Sequence, residues 1–240
     1  VLGASDIFET RNREALVQSY LAGHEYTVDM VTVDGKRYTN GVSRYRKRLQ
    51  GTHNIYDRED LLDPASPEVA ALVEYTSSAL DALGVRSGPT HAEVIITPDG
   101  PTLVEVGARL SGSLAREFQD ACVGTNQAHL TALAAVRPQE FLDEYAGRVF
   151  TRHKFGALVI TATELDGIVE DIDLDVRAEL EALPSLTNLR IKIKPAGRIK
   201  PTVDLYTSTL GVHLATDSAE QLERDYERVQ QLKDAVFRLR

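Results

Sequence analysis

The sequence predicts an α+β fold: an antiparallel sheet with flanking helices, followed by a small C-terminal α+β subdomain. Three observations carry this. Runs of β-branched and apolar residues are joined by the hairpin turn signals Asp34-Gly35 and Pro98-Asp99-Gly100. Between these hairpins stands a segment with helical periodicity and a strong start signal, Ser66-Pro67-Glu68. Beyond residue 150, short strands again mix with a helix that opens on its own cap, Ser218 with Gln221. The expected division is 1–150 and 151–240.

Taken in order, residues 6–15 read as a helix end or loop and residues 15–21 as a short strand. After a turn at Ala22-Gly23, residues 24–33 alternate, with Tyr26, Val28, Met30 and Thr32 on one face. Residues 36–46 return as the second arm. Residues 49–65 have few periodic apolar positions and read as a long loop, with His53 and Tyr56 at its surface. Val69, Leu72, Val73, Leu80 and Leu83 form the buried stripe of the next helix, which stops at Gly84. A hairpin spans residues 89–109. Residues 113–136 are helical with a break near Gly124-Thr125, turn Leu130, Leu133 and Val136 inward, and close at Arg137-Pro138. In the second part we expect strands at 155–163, 168–169, 189–193 and 208–214, a helix over 175–183, and a last helix burying Leu222, Tyr226, Val229, Leu232 and Val236.

Composition bounds the function. The chain has 240 residues, 42% of them hydrophobic and 26% charged, an ordinary globular balance. Its net charge of −9 argues against general nucleic-acid binding but not against nucleotides, whose charge a metal can offset. No apolar run approaches the roughly 18 residues of a membrane span, and no signal-peptide pattern opens the chain. The lone cysteine, Cys122, fits a reducing cytoplasm; as a residue it is either a nucleophile or, as base rates favour, a small buried hydrophobe. The first residue is Val1, so a fragment of a longer protein is expected.

The chemistry concentrates in the second hairpin. Side chains alternate along a strand, so His91 and Glu93 share a face, as do Glu105, Gly107 and Arg109. A tight turn at 98–100 lets Glu93 lie opposite Glu105. Like charges so opposed repel, and a divalent cation with oxygen ligands would compensate. The ordinary alternative is an exposed face with a salt bridge. The basic cluster Arg44, Arg46, Lys47 and Arg48 is either a phosphate or carboxylate contact or a solvated strand end. Neither a P-loop nor a Gly-x-Gly-x-x-Gly site is present.

The runs Gly88-Pro89-Thr90-His91-Ala92-Glu93 and Thr102-Leu103-Val104-Glu105-Val106-Gly107-Ala108-Arg109-Leu110-Ser111-Gly112 resemble the metal-binding hairpin of ATP-grasp ligases, nearest the amino-acid (dipeptide) ligase branch. Residues 16–29 resemble the hinge of the same family, in the same order along the chain. The resemblance implies an ATP-grasp fold and an ATP-dependent carboxylate–amine ligase working through an acylphosphate, with ADP and phosphate as products. It implies Glu93 and Glu105 as ligands of Mg²⁺, or Mn²⁺ in its place. It implies Arg109 as stabiliser of the phosphoryl group, and His91 as a catalytic group near phosphate or substrate. Gln18, Ser19, Tyr20 and Leu21 would hold adenine and Glu25 the ribose. Small carboxylate and amine substrates, no nucleic acid, no membrane and a cytoplasmic location follow; a homodimer stays open.

Two features depart from the family pattern. Gly107 stands where many members have Asn, which removes one metal ligand. No Gly-rich loop or lysine precedes the hinge, and the N-terminal domain is absent. The alternative is a non-catalytic ATP-grasp module that binds nucleotide or a partner.

Overall fold

A computed structural model describes residues 3–5, 10–50 and 53–240. The helix end or loop expected over 6–15 falls partly outside the described residues, and the surface position expected of the His53 side chain falls wholly outside them. Along the chain run β1 (His24–Val33), β2 (Lys36–Gln50), β3 (His53–Leu61), α1 (Pro67–Ala82), β4 (Gly88–Thr97), β5 (Gly100–Gly107), α2 (Arg116–Val123), α3 (Gln127–Val136) and α4 (Pro138–Glu144). Then come β6 (Phe155–Ile160), β7 (Gly167–Ile172), α5 (Leu174–Glu181), β8 (Leu186–Ile191), β9 (Arg198–Ile199), β10 (Leu210–Thr216), α6 (Ala219–Leu232) and β11 (Phe237–Leu239).

One 8-stranded sheet, in the order β5-β4-β1-β2-β3-β6-β10-β8, is accompanied by a 3-stranded sheet, β11-β7-β9. Every pairing within the named strands is antiparallel. Two apolar clusters form. In the first, α1, α3 and α4 pack on β1, β2 and β4 through Val28, Met30, Leu72, Leu80, Leu130 and Phe141. In the second, α5 and α6 cover β6, β8 and β10 through Val159, Leu180, Leu210, Val212 and Val229. Each fully buried Leu or Phe adds about 1.5–3 kcal/mol relative to exposure.

The strands are interrupted by bulges that insert one residue into one arm of a pair. Between Asp29↔Gly41 and Met30↔Thr39 the extra residue is Asn40. Between Arg46↔Arg58 and Lys47↔Tyr56 it is Asp57. Between Glu93↔Glu105 and Val94↔Leu103 it is Val104.

Several expectations are corrected. Residues 15–21 form no strand. Leu16, Val17 and Tyr20 are 83%, 91% and 92% exposed, and apolar character does not make a strand where no neighbouring strand takes its hydrogen bonds. The loop expected over 49–65 is mostly strand, the end of β2 and all of β3. Charge pairing does there what apolar alternation does elsewhere. Arg58, 1% exposed, donates to Asp60 at 2.5 Å and to Glu223 of α6 at 2.9 Å, and its guanidinium lies 4.9 Å from the Tyr226 ring centroid. The Tyr226 hydroxyl donates to Asp57 at 2.5 Å. Three of the four residues of the basic cluster are absorbed in the same way: Arg46 pairs with Asp60, Arg48 with Asp57 and Lys47 with Glu25. Leu83 and Val136 are exposed at 58% and 77%, because each sits at or beyond the last turn of its helix. The helix α4 follows Pro138 where a stop was expected; Pro at a first helical position is well placed to start one. The strands β9 and β11 were not foreseen, being only 2 and 3 residues long. Among the described residues no helix is long and apolar enough to cross a membrane.

The Arg58 network predicts a sharp contrast. Arg58→Ala leaves carboxylates without their buried cation and should lower stability by about 3–5 kcal/mol. Arg238→Ala, which breaks an exposed pair with Asp173, should leave the urea midpoint nearly where it is. Urea denaturation of both variants measures the difference.

Candidate functional site

The turn Pro98-Asp99 closes β4 onto β5 with Thr97 opposite Gly100, and Gly100 takes φ +110°, open to glycine without strain. That closure sets Glu93 directly opposite Glu105. On the other side of β4, Glu93 pairs in register with Thr27 of β1. The two glutamates therefore share one face with side chains from β1, β2 and β3. Among the described residues neither is in an ion pair. Burial raises the Glu93 pKa, Glu25 and Glu105 push it the same way, and His91 and Lys47 oppose them.

The other acids on this face each have a partner. Glu25 accepts from the Tyr56 hydroxyl at 3.0 Å and from the Lys47 ammonium, which sits 4.5 Å from the Tyr56 ring centroid. Asp29 is 2.7 Å from His91 Nδ1. Burial disfavours charge on this imidazole, but the hydrogen bond and charge of Asp29, with Glu59 and Glu93 behind, outweigh it and raise its pKa. Glu59 accepts from Thr27 Oγ1 at 2.8 Å. Burial, helped by Asp29 and Glu93, pushes the Glu59 carboxyl up to about 7 against the Thr27 hydrogen bond and His91.

Arg109 follows β5 and folds back over Gly107. A Cβ at residue 107 would lie 3.2 Å from Arg109 Cγ and Nε, so the small residue is what allows the guanidinium its position. Arg109 Nη1 donates to the Leu110 carbonyl at 2.9 Å. The loop after it is pinned by Gln127, fully buried, which accepts from the Ser111 N–H at 2.9 Å and donates to the Thr90 and Met30 carbonyls.

Of the residues singled out from the sequence, Glu93, Glu105, His91 and Glu25 are brought onto one face, and Arg109 lies at its β5 edge. Gln18, Ser19 and Tyr20 are exposed and Leu21 is half-buried, all in the irregular segment leading into β1. Asp29 and Glu59 were not singled out, Lys47 was named only as part of the basic cluster, and Tyr56 was expected at the surface of a loop. Their signal was available: each follows from the β1–β2–β3 register once β3 is recognised as a strand. No three His, Cys, Asp or Glu side chains among the described residues gather closely enough to hold a metal unaided. Two facing, uncompensated carboxylates suit a Mg²⁺ that takes its other ligands from water and phosphate.

With this geometry in hand, similarity to solved structures decides the fold. The L-amino acid ligase of Bacillus licheniformis superposes with a TM-score of 0.74 at 19% identity, over 92% of this chain and 55% of that one. Phosphoribosylglycinamide synthetase of Anaerococcus prevotii gives 0.68 at 12% identity, over 92% of this chain and 54% of that one. The chain has the ATP-grasp fold. In sequence, dapdiamide A synthase of Enterobacter agglomerans is 30% identical over 171 residues, 71% of this chain and 40% of that protein. No family model matches. The chain thus spans less than half the length of this curated relative, and about half of each solved ATP-grasp neighbour.

The Asp29–His91 pair yields a directional test. Asp29→Asn removes the main influence that raises the imidazole and leaves burial, which lowers it. With only Glu59 and Glu93 left to oppose burial, the His91 pKa should fall from its wild-type value. Imidazole proton shifts followed across pH will read this, and an unmoved midpoint would show that Asp29 does not set the charge of His91.

Proposed function

We propose that this ATP-grasp chain supplies the nucleotide- and metal-binding part of an ATP-dependent ligase that joins a carboxylate to an amine. The observation that carries the reading is the facing pair Glu93 and Glu105, without a cation among the described residues and with the Arg109 guanidinium beside it. The similarity to a protein named dapdiamide A synthase and to one named L-amino acid ligase supports amino-acid-like substrates. The division into 1–150 and 151–240 is part of the same reading and is supported by the two apolar clusters.

In this reading Glu93 and Glu105 hold Mg²⁺, or Mn²⁺ in its place. The metal, once bound, neutralises phosphate charge during transfer of a phosphoryl group to the substrate carboxylate. Arg109, a planar fork with five donors, stabilises the negative oxygens of that group and of the acylphosphate. Lys47 and the Tyr56 hydroxyl fix Glu25, which accepts from the ribose hydroxyls. Backbone groups of Gln18, Ser19, Tyr20 and Leu21 meet the adenine edge once the segment is covered by nucleotide. His91, held at Nδ1 by Asp29, presents its other nitrogen near the transferred phosphate or the incoming amine. The carboxylate's oxygen attacks the γ-phosphorus and ADP leaves. The amine nitrogen then displaces phosphate, losing a proton, to give the amide.

Two variants of the full-length protein test this. Glu105→Gln removes one of two opposed charges, so it should weaken Mg²⁺-dependent ADP binding by calorimetry without lowering the metal-free melting temperature. A loss of fold instead would make Glu105 a structural residue. Arg109→Ala should reduce amino-acid-dependent phosphate release from Mg·ATP by about 10²–10³-fold; undiminished release would take Arg109 out of the reaction.

A further inference from the structure

The β2–β3 hairpin reaches past the strands on either side of it. β1 pairs with β2 only as far as Tyr26↔Arg44, and β6 pairs with β3 only at Arg58, Glu59 and Asp60. Among the described residues, 47–50 of β2 and 53–56 of β3 therefore have only each other as ladder partners. A two-stranded ribbon is marginal by itself in water, so side chains must hold this overhang in place.

Alternation gives those side chains two faces. Lys47 and Tyr56, directly opposed, turn to the cleft, where both donate to Glu25. The next rung, Arg48 and Ile55, turns to α6. Arg48 Nη1 donates to Gln230 Oε1 at 3.5 Å, and Ile55 is 2% exposed. Gln50 comes next on that face and is the outermost hold. Its Nε2 donates to the Thr163 carbonyl at 2.9 Å and to the Thr202 carbonyl at 3.4 Å. The acceptors are themselves fixed. Thr163 N–H donates to Thr202 Oγ1 at 3.0 Å, Thr202 N–H returns a bond to the Thr163 carbonyl at 2.9 Å, and both residues are buried. Lys233 of α6 donates to the adjoining Ala162 carbonyl. Leu49, the apolar neighbour of Gln50, is exposed and does not replace this hold. A primary amide brings two donors on one nitrogen; a glutamate of the same shape brings none.

We propose that Gln50 is a positioning residue for the nucleotide end of the site. By tying the end of the hairpin to Thr163 and Thr202, it keeps Lys47 and Tyr56 against Glu25 and so fixes that carboxylate for the ribose. The tie stands on its own hydrogen bonds; its consequence for nucleotide rests on the ligase reading.

The full-length protein, with Gln50→Ala and Gln50→Glu, is the material for the test. Amide hydrogen exchange over residues 47–56, followed by mass spectrometry, should quicken at least 10-fold in both variants. Exchange in β1 and β4 should keep its wild-type rate, which separates a released hairpin from a weakened fold. The Kd for Mg·ADP by calorimetry and KM for ATP should both rise about 10-fold, with kcat in place. In a Lys47→Ala/Tyr56→Phe background the hairpin no longer touches Glu25, and adding Gln50→Ala should change Kd by less than 2-fold. The same loss of affinity in both backgrounds would make Gln50 a structural residue and overturn the proposal. Unchanged exchange over 47–56, or faster exchange with an unchanged Kd, would overturn it as well. A wild type that binds no Mg·ADP, with exchange still quickened by Gln50→Ala, would sustain the tie and sink the ligase reading.

Discussion

Negative charge crowded onto one sheet face is the constraint around which this structure is arranged. Glu25, Asp29, Glu59, Glu93 and Glu105 arise on β1, β3, β4 and β5, all within one antiparallel sheet. Like charges in a partly desolvated place cannot stay unanswered. Glu25 is answered by Lys47 and Tyr56, Asp29 by His91, and Glu59 by Thr27 together with its raised affinity for a proton. Glu93 and Glu105 have no such answer among the described side chains. The compensation stops at the two carboxylates that face each other, and it is there that a metal–phosphate complex would complete the balance.

A second charge system runs beside the first and explains how the face is held. Along β3, whose alternation the Asp57 bulge breaks, the residues divide in allegiance. Tyr56 and Glu59 reach the acid-rich face through Glu25 and Thr27, while Asp57 and Arg58 reach Tyr226 and Glu223 of α6. Helix α6 therefore grips the same strand that positions the second-row partners of the site. Removing a buried pair is commonly tolerated when both charges go, but removing one partner is not. The grip thus depends on Arg58 and its carboxylates being present together.

Where the sequence speaks through apolar periodicity it is read well. Val28, Met30, Leu72, Leu80, Leu130 and Val229 all lie in the core as their spacing implies, and the Pro98-Asp99 turn with the facing of Glu93 and Glu105 follows from hairpin geometry alone. Where burial is achieved by charge, periodicity is silent. β3 carries Asp57, Arg58, Glu59 and Asp60 in succession, which reads as a solvated loop until Glu223 and Tyr226, distant in sequence, are known to meet it. The exposed apolar run at Leu16, Val17 and Tyr20 errs the other way, having the composition of a strand with no neighbour to pair with. The facing of Glu93 and Glu105 was legible because both are local to one hairpin. Asp29, Glu59 and the pairing of Lys47 with Glu25 were not, because their place depends on register across three strands.

The bulges give this chain an unusual grammar for gaps. Each strand alternates between core and cleft, so losing one residue from a regular stretch would turn core side chains toward the cleft and acids into the core. At Asn40, Asp57 and Val104 an extra residue is already accommodated, and the alternation restarts on either side. Single-residue length differences between this chain and its distant ATP-grasp neighbours should therefore fall at these three points and at the like bulges Glu170 of β7 and Thr187 of β8, as well as in the turns where gaps are normally placed. Alignments that forbid gaps inside strands will shift the cleft residues by one, and pair Glu93 or Glu105 with side chains that face the opposite way.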